Sequence, residues 1–149
     1  MADRVSVAVT IGGELAAAQY RELTALIQIE GLSIEWDGAP FEPSDRAEGE
    51  PLRLFAHEVA WGRVQSVEDW CVANNVPFAR WSRGNAGSWG PERVVYGGAG
   101  SPASFTADEE DRILVDRITV EQLGSVETVL GHFDAADFVI PPLVVTRDP

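Results

Sequence analysis

The residues of this 149-residue chain that are best suited to holding a ligand lie close together in one segment. Arginine offers a planar fork of donors to a carboxylate or phosphate, and tryptophan offers a flat face to a ring or a cation. Glycines between them let a ligand approach the backbone. The segment therefore predicts a surface that binds a protein, an anionic small molecule or an acidic peptide. Its candidate binding residues are Arg80, Trp81, Arg83, Trp89 and Arg93.

The same segment also has a structural interpretation, in which its tryptophans fill the core and its arginines pair with Glu92 or with acidic loops. The glycines of the segment, Gly84, Gly87 and Gly90, lie in a loop that precedes a predicted strand. A phosphate-binding loop precedes a helix, whose N-terminus attracts the anion. The sequence therefore predicts no cofactor, and both interpretations of the segment stay open.

A second kind of chemistry would use His57 or Glu58, which lie late in a predicted strand. Adjacent strand residues point to opposite faces of a sheet, so these two side chains cannot act as one acid–base pair. The alternative hypothesis is a small enzyme in which one of them is the acid or base and an arginine holds an anionic substrate. The other histidine, His132, lies far along the chain, and no spacing of ligand-type residues predicts a metal site.

The single cysteine, Cys71, excludes a disulfide within the chain. At helical spacing Cys71 shares an apolar face with Val67 and Trp70, which predicts that Trp70 and Cys71 are core residues. The acidic run at 108–111 lacks the alternating ligands and the central glycine of a calcium-binding loop. We interpret it as a solvated turn.

The net charge of −13 is distributed unevenly. Residues 77–100 carry three arginines against one glutamate, whereas 30–50 carry seven acids against one arginine and 101–149 carry ten acids against three arginines. An acidic molecule repels nucleic acid and anionic membranes, so neither is expected as a partner. Acidity also allows a further hypothesis, a mimic of nucleic acid. All eleven basic residues are arginine, which is typical of GC-rich bacterial genomes.

Location is predicted from what the sequence lacks. The first residues do not show the apolar run of a signal peptide, and no run approaches the roughly 18 apolar residues of a membrane span. The cytoplasm is therefore the expected location.

Hydrophobic periodicity predicts the elements that position these residues. Alternation of apolar and polar residues indicates half-buried strands. The predicted strands cover 5–11, 32–36, 52–61, 78–81, 93–96 and 113–115.

Apolar residues at intervals of three and four predict three helices. The first covers 14–28, and the second begins at Ser66, which has the side chain of an N-cap. The third begins with a capping box from Thr119 to Gln122, in which each side chain bonds the backbone of the other residue. Its apolar stripe consists of Leu123, Val126 and Leu130.

These elements predict a single α+β domain over residues 1–149, with a mixed or mostly antiparallel sheet of five to six strands and two to three helices on one face. Residues 4–36 and 52–81 each form a strand–helix–strand unit, which gives the fold ferredoxin-like character. Proline and glycine predict a mobile acidic loop at 37–51 and an extended tail at 141–149.

The function most consistent with this sequence is a non-catalytic binding or protein-interaction module that uses the Arg/Trp/Gly segment. An exposed apolar or Arg/Trp patch would indicate such a module. A concave pocket with converging polar groups would indicate the enzyme, and acids spaced like phosphates over a long surface would indicate the mimic. The sequence predicts no oligomeric state.

Overall fold

The computed structural model describes residues 4–147, which form an α+β fold. The strands are β1 (Arg4–Ile11), β2 (Gly13–Ala16), β3 (Leu52–Ala60), β4 (Phe78–Ser82), β5 (Glu92–Tyr96), β6 (Ala103–Thr106) and β7 (Leu143–Thr146). The α-helices are α1 (Ala17–Ile29), α2 (Gln65–Ala73), α3 (Arg117–Leu123) and α4 (Val126–Ala136), and a 3-10 turn covers Pro43–Asp45.

Five strands form one sheet in the order β3-β1-β4-β5-β6, and every neighbouring pair is antiparallel. In β1, Val9 lies opposite Leu54 of β3 on one side and Arg80 of β4 on the other. The prediction of a mostly antiparallel sheet is therefore confirmed. The sequence did not predict the second sheet, in which β2 and β7 run parallel.

The helices α1 and α2 cover one face of the five-stranded sheet. Because alternate strand residues point to opposite faces, Val7, Val9 and Ile11 of β1 all point toward these helices and are fully buried. Leu23 of α1 and Cys71 of α2 belong to the same core cluster. Each such side chain contributes about 1.5–3 kcal/mol to stability when fully buried.

The helix α4 packs against the opposite face of the sheet. Its Ala136 is buried with Val95 of β5 and Phe105 of β6, and Ala79 of β4 packs against this cluster. The prediction that two to three helices share one face is therefore wrong for α4. Periodicity identifies the apolar side of a helix but not the surface that this side contacts.

The predicted third helix is two helices, because the chain turns at Gly124, whose φ of 83° is left-handed. Two other residues act as N-caps in place of Thr119: the Asp116 carboxylate accepts the Thr119 N–H, and the Ser125 hydroxyl accepts the Thr128 N–H. The capping box at Thr119 is thus a wrong prediction.

The start of α2 also differs from the prediction. The helix begins at Gln65, so Ser66 lies inside it and donates its hydroxyl proton to Glu30. The backbone N–H of Val64, which has no partner within the helix, instead donates to the Glu68 carboxylate at 2.9 Å. The start of α2 is therefore capped by the side chain of Glu68, which lies one turn further along the helix, and not by Ser66.

Two predicted strands are reduced to single bridges. Only Ser33 of 32–36 pairs with β3, and only Ile113 of 113–115 pairs, through a bridge to Ala107. The predicted tail forms β7, whose Leu143 is fully buried, while residues 148 and 149 lie outside the described range. Over 37–51 the chain is held by the buried Phe41, whose carbonyl accepts the Gln28 amide.

The chain crosses itself closely where β1 ends. A Cβ atom on Gly12 would lie 1.8 Å from the Pro141 carbonyl oxygen, so only glycine fits there. The next residue, Gly13, donates its N–H to Pro142. This close approach places β7 beside β2. Within residues 4–147, no helix is both long enough and apolar enough to cross a bilayer.

Candidate functional site

Arg80 lies inside the protein, on the sheet face that α1 and α2 cover, and only 2% of its side chain is exposed. Its guanidinium donates to Glu68 Oε1 at 2.9 Å, to Ser82 Oγ at 2.9 Å and to Glu92 Oε1 at 3.2 Å. A buried charge needs such partners, since water cannot solvate it. Arg80 thus joins β4 and β5 to the start of α2, which Glu68 caps.

Arg93 points to the opposite face of the sheet and is also internally bonded. It donates to Asp111 Oδ1 at 2.9 Å, to Asp137 Oδ1 at 2.7 Å and to the Ala136 carbonyl at 2.9 Å. Burial lowers the pKa of Arg93, but the bonds to Asp111 and Asp137 outweigh it and raise the pKa above its ordinary value. Arg93 therefore anchors the end of α4 to β5.

Trp89 lies at the end of a turn in the Arg/Trp/Gly segment. It contacts Trp61, which was not among the binding residues predicted from sequence. The backbones of Asn85 and Trp89 bond each other, and the ring of Trp89 lies 6.0 Å from that of Trp61, centroid to centroid. Trp61 is 56% exposed and has a φ of 59°. A bulky residue is strained in this left-handed conformation.

These two tryptophans line a cleft of about 750 Å³, which we call the Trp61–Trp89 cleft. Arg63 makes no ion pair with any residue from 4 to 147. The two acidic residues that line the cleft already accept hydrogen bonds, Glu30 from Ser66 and Glu92 from Arg80. The cleft thus combines a tryptophan surface with one available cation. Its lining is Glu30, Ala60, Trp61, Arg63, Gln65, Trp89, Gly90 and Glu92.

A smaller cleft of about 210 Å³ lies on the sheet face opposite α1 and α2; we call it the His57 cleft. The rings of Trp36 and His57 are stacked, with centroids 4.8 Å apart and planes inclined by 27°. Trp81 donates its Nε1 proton to the Asp108 carbonyl at 3.0 Å. The lining is Ser6, Trp36, His57, Trp81, Arg83 and Glu109.

The five predicted binding residues therefore lie in four places. Trp81 and Arg83 lie together in the His57 cleft, and Trp89 lines the Trp61–Trp89 cleft. Arg80 and Arg93 bond to acids on opposite faces of the sheet. Arg83 is largely exposed and pairs with Glu109 at 3.2 Å.

Four of the lining residues that sequence reasoning missed are central to the two clefts. Trp61, followed by a glycine that also has a positive φ, carried a detectable signal, because a strand that ends in Trp-Gly must turn there. Trp36, Arg63 and Ser6 carried none, since only the fold brings them beside the other residues.

The remaining titratable candidates lie apart from both tryptophans of the large cleft. Cys71 is buried, and burial, aided by Glu68, raises the pKa of its thiol to about 12, so it is a poor nucleophile. His132 contacts Phe105 edge-on in α4. Among the described residues no three His, Cys, Asp or Glu side chains could hold a metal ion together.

A further surface is apolar. On α3, α4 and the segments beside them, large apolar side chains point to solvent; Val126 is 75% exposed and Leu130 is 56% exposed. Exposed apolar side chains clustered along neighbouring elements are typical of interaction sites. We call it the α3–α4 surface; it consists of Leu114, Ile118, Val120, Val126, Leu130, Phe138 and Val139.

Comparison of the chain with protein-family models, with curated proteins and with solved structures gives no match.

Proposed function

We propose that this protein is a binding module, and that the Trp61–Trp89 cleft holds a ligand with an aromatic ring and a negative charge. The observation that carries the proposal is the exposed, strained Trp61 at the wall of a 750 Å³ cleft. A left-handed tryptophan costs roughly 1–2 kcal/mol relative to an unstrained backbone. Folding gains little in return, because more than half of the side chain is exposed.

The charges of the cleft support an anionic ligand. Arg63 is exposed and lacks an ion-pair partner among residues 4–147, whereas Glu30 and Glu92 already accept hydrogen bonds. A planar ring against Trp61 and Trp89 places an attached carboxylate or sulfonate near the Arg63 guanidinium, which binds both groups well. The Arg/Trp/Gly segment takes part through Trp89 and Gly90.

The test uses 1-anilino-8-naphthalenesulfonate, an aromatic anion whose fluorescence rises in apolar clefts. We expect one dye to bind per chain, with an affinity that falls as salt rises, because an exposed charge is screened within roughly 10 Å at 0.1 M salt. Arg63→Gln should weaken binding about threefold to tenfold. The matched control Arg117→Gln removes an arginine that is 91% exposed on α3 and should change nothing.

The decisive variant is Trp61→Gly. It should abolish dye binding and leave the free energy of unfolding unchanged or higher, because glycine adopts a positive φ without strain. Trp36→Ala, which removes an exposed tryptophan from the other cleft, should keep the binding. Dye binding that survives Trp61→Gly, or uncharged N-phenyl-1-naphthylamine binding as tightly as the sulfonate, would overturn the proposal.

The α3–α4 surface favours a second candidate function, docking of a basic amphipathic segment of a partner protein. Apolar side chains at the centre would contact the apolar side of that segment, and the acids around them would attract its charges. A second copy of this chain would instead bring like charges together. The acids on and beside α3 and α4 are Asp116, Glu121, Glu127, Asp134 and Asp137.

Calorimetry with a 14-residue amphipathic peptide of leucine and lysine tests this second function. Replacing Val126 and Leu130 by glutamine should weaken binding about tenfold, whereas Ile29→Gln, an exposed isoleucine on α1, should not. A glutamate version of the peptide should fail to bind. A dimer in sedimentation that the double variant dissociates would identify a second copy as the occupant and refute a basic partner.

We further propose a ferredoxin-like arrangement, a bacterial source and a cytoplasmic location. The bridge from Ser33 to Phe55 supports a ferredoxin-like arrangement, because it sets an extended segment antiparallel to the outer side of β3. The absence of lysine supports a bacterial source with a GC-rich genome. A cytoplasmic location agrees with a single, buried cysteine.

A further inference from the structure

Three polar side chains follow one another in and beside the His57 cleft: Ser6 is hydrogen-bonded to His57, and the carboxylate of Asp37 lies near the other side of the imidazole. The Ser6 hydroxyl lies 2.7 Å from His57 Nδ1, and His57 Nε2 lies 3.4 Å from Asp37 Oδ1. Serine, histidine and aspartate in this order are the groups of an activated serine nucleophile. In serine proteases the histidine Nε2 faces the serine and Nδ1 faces the aspartate. Here Nδ1 faces Ser6 and Nε2 faces Asp37. Chemically this is equivalent, because one nitrogen of a neutral imidazole accepts while the other donates.

A β-bulge lies directly beside this contact. Val5 pairs with Val59 and Val7 pairs with Ala56, so Ser6 alone lies opposite two residues, His57 and Glu58. Glu58 is the extra residue and has a φ of 55°. Bulges redirect side chains and are common beside active sites. His57 lies on the same sheet face as Ser6 because it continues the register that pairs Ala8 with Phe55 and Val7 with Ala56. The Trp36 ring stacked on the imidazole restricts its orientation.

The cleft in front of Ser6 suits a small anionic substrate. Its volume of about 210 Å³ corresponds to roughly seven water molecules, which limits the substrate to a short acyl group. Arg83 lines the same cleft and is largely exposed, paired with Glu109 at its side. A substrate carboxylate can take the place of Glu109 and hold the acyl group near the Ser6 hydroxyl.

We propose that Ser6 is the nucleophile of a small esterase centre that acts on short-chain carboxylic esters with a second, free carboxylate. Ser6 Oγ attacks the ester carbonyl carbon while its proton passes to His57 Nδ1. The carbon–oxygen bond to the alcohol breaks, and the leaving alkoxide takes that proton from His57. Water then attacks the acyl-serine, again through His57, and releases the acid and free Ser6. This activity is independent of binding in the Trp61–Trp89 cleft.

Covalent labelling with a fluorophosphonate tests the nucleophile directly. We expect one phosphonyl group per native chain by intact mass, located at Ser6 by peptide mapping, and none on heat-denatured protein. His57→Gln keeps a hydrogen-bonding group beside Ser6 but cannot take the proton, so labelling should slow about a hundredfold or more. Ser104→Ala is the matched control, since that hydroxyl bonds a carboxylate, and should label normally.

Ester hydrolysis tests the substrate class. Arg83→Gln should lower kcat/KM for p-nitrophenyl hemisuccinate about tenfold and leave p-nitrophenyl acetate unchanged, because acetate has no free carboxylate. Circular dichroism confirms that the variants fold. Labelling spread over several serines, an unchanged rate in His57→Gln, or equal rates for native and denatured protein would each refute the proposal.

Discussion

The two helical layers of this protein differ sharply in what they bury. The layer of α1 and α2 closes a core in which Leu23, Ile27 and Val67 are fully buried. The layer of α3 and α4 buries little, and Ala136 is the one buried residue of α4. Both layers carry apolar side chains at helical spacing. The first layer therefore supplies the folding energy, whereas the second adds surface that is available for interaction.

The largest expected effect comes from the charge inside the first layer. Arg80→Met leaves Glu68 and Glu92 buried or half-buried without their cation, so the free energy of unfolding should fall by about 3–5 kcal/mol. Urea denaturation measures this loss. Arg83→Met removes an exposed arginine that also pairs with an acid and should cost less than about 1 kcal/mol. Equal losses in the two variants would mean that the Arg80 network is solvated.

A leucine in each layer gives the next comparison. Leu23→Ala should destabilise the protein by about 2–5 kcal/mol, because it leaves a cavity in the core. Leu130→Ala removes the same atoms from an exposed position and should lie within about 0.5 kcal/mol of the parent. Both values come from chemical denaturation under identical conditions. A large loss of unfolding free energy in Leu130→Ala would show that Leu130 is buried in solution.

The smallest effect concerns the start of α4. Ser125→Ala removes the hydroxyl that accepts the Thr128 N–H at 3.1 Å and should cost about 1 kcal/mol. Thr119→Ala should cost less, because the backbone N–H of Thr119, not its side chain, makes the capping bond of α3. Hydrogen exchange of the α4 amides localises the loss. A larger loss of stability in Thr119→Ala than in Ser125→Ala would support the capping box predicted from sequence.

Sequence reasoning succeeded where a local pattern had one structural solution. Alternation identified β1, β3, β4 and β5, because a half-buried strand fixes which residues face the core. It failed for 113–115, where Ile113 forms a single bridge and the chain then turns into α3. An apolar triplet alone carries no information about whether a partner strand is within reach.

The candidate site could be predicted in position but not in composition. The Trp81 and Trp89 region does line both clefts, yet Arg80 and Arg93 bond internally, because alternation along β4 and β5 sends them to opposite, covered sides of the sheet. The contact of Ser6 with His57 depends on the register in which β1 pairs with β3. No spacing along the chain reveals this register.

The parallel pair of β2 and β7 has a consequence for how the chain is made. Gly13 pairs with Leu143, so 130 residues must be synthesised before β2 meets its partner. At ribosomal speeds of about 5–20 residues per second, this interval lasts roughly 7–26 s. During that time the edge of β2 is unpaired, and Leu15, fully buried in the finished fold, has no cover from β7. The nascent chain therefore exposes this strand edge to other chains until β7 emerges.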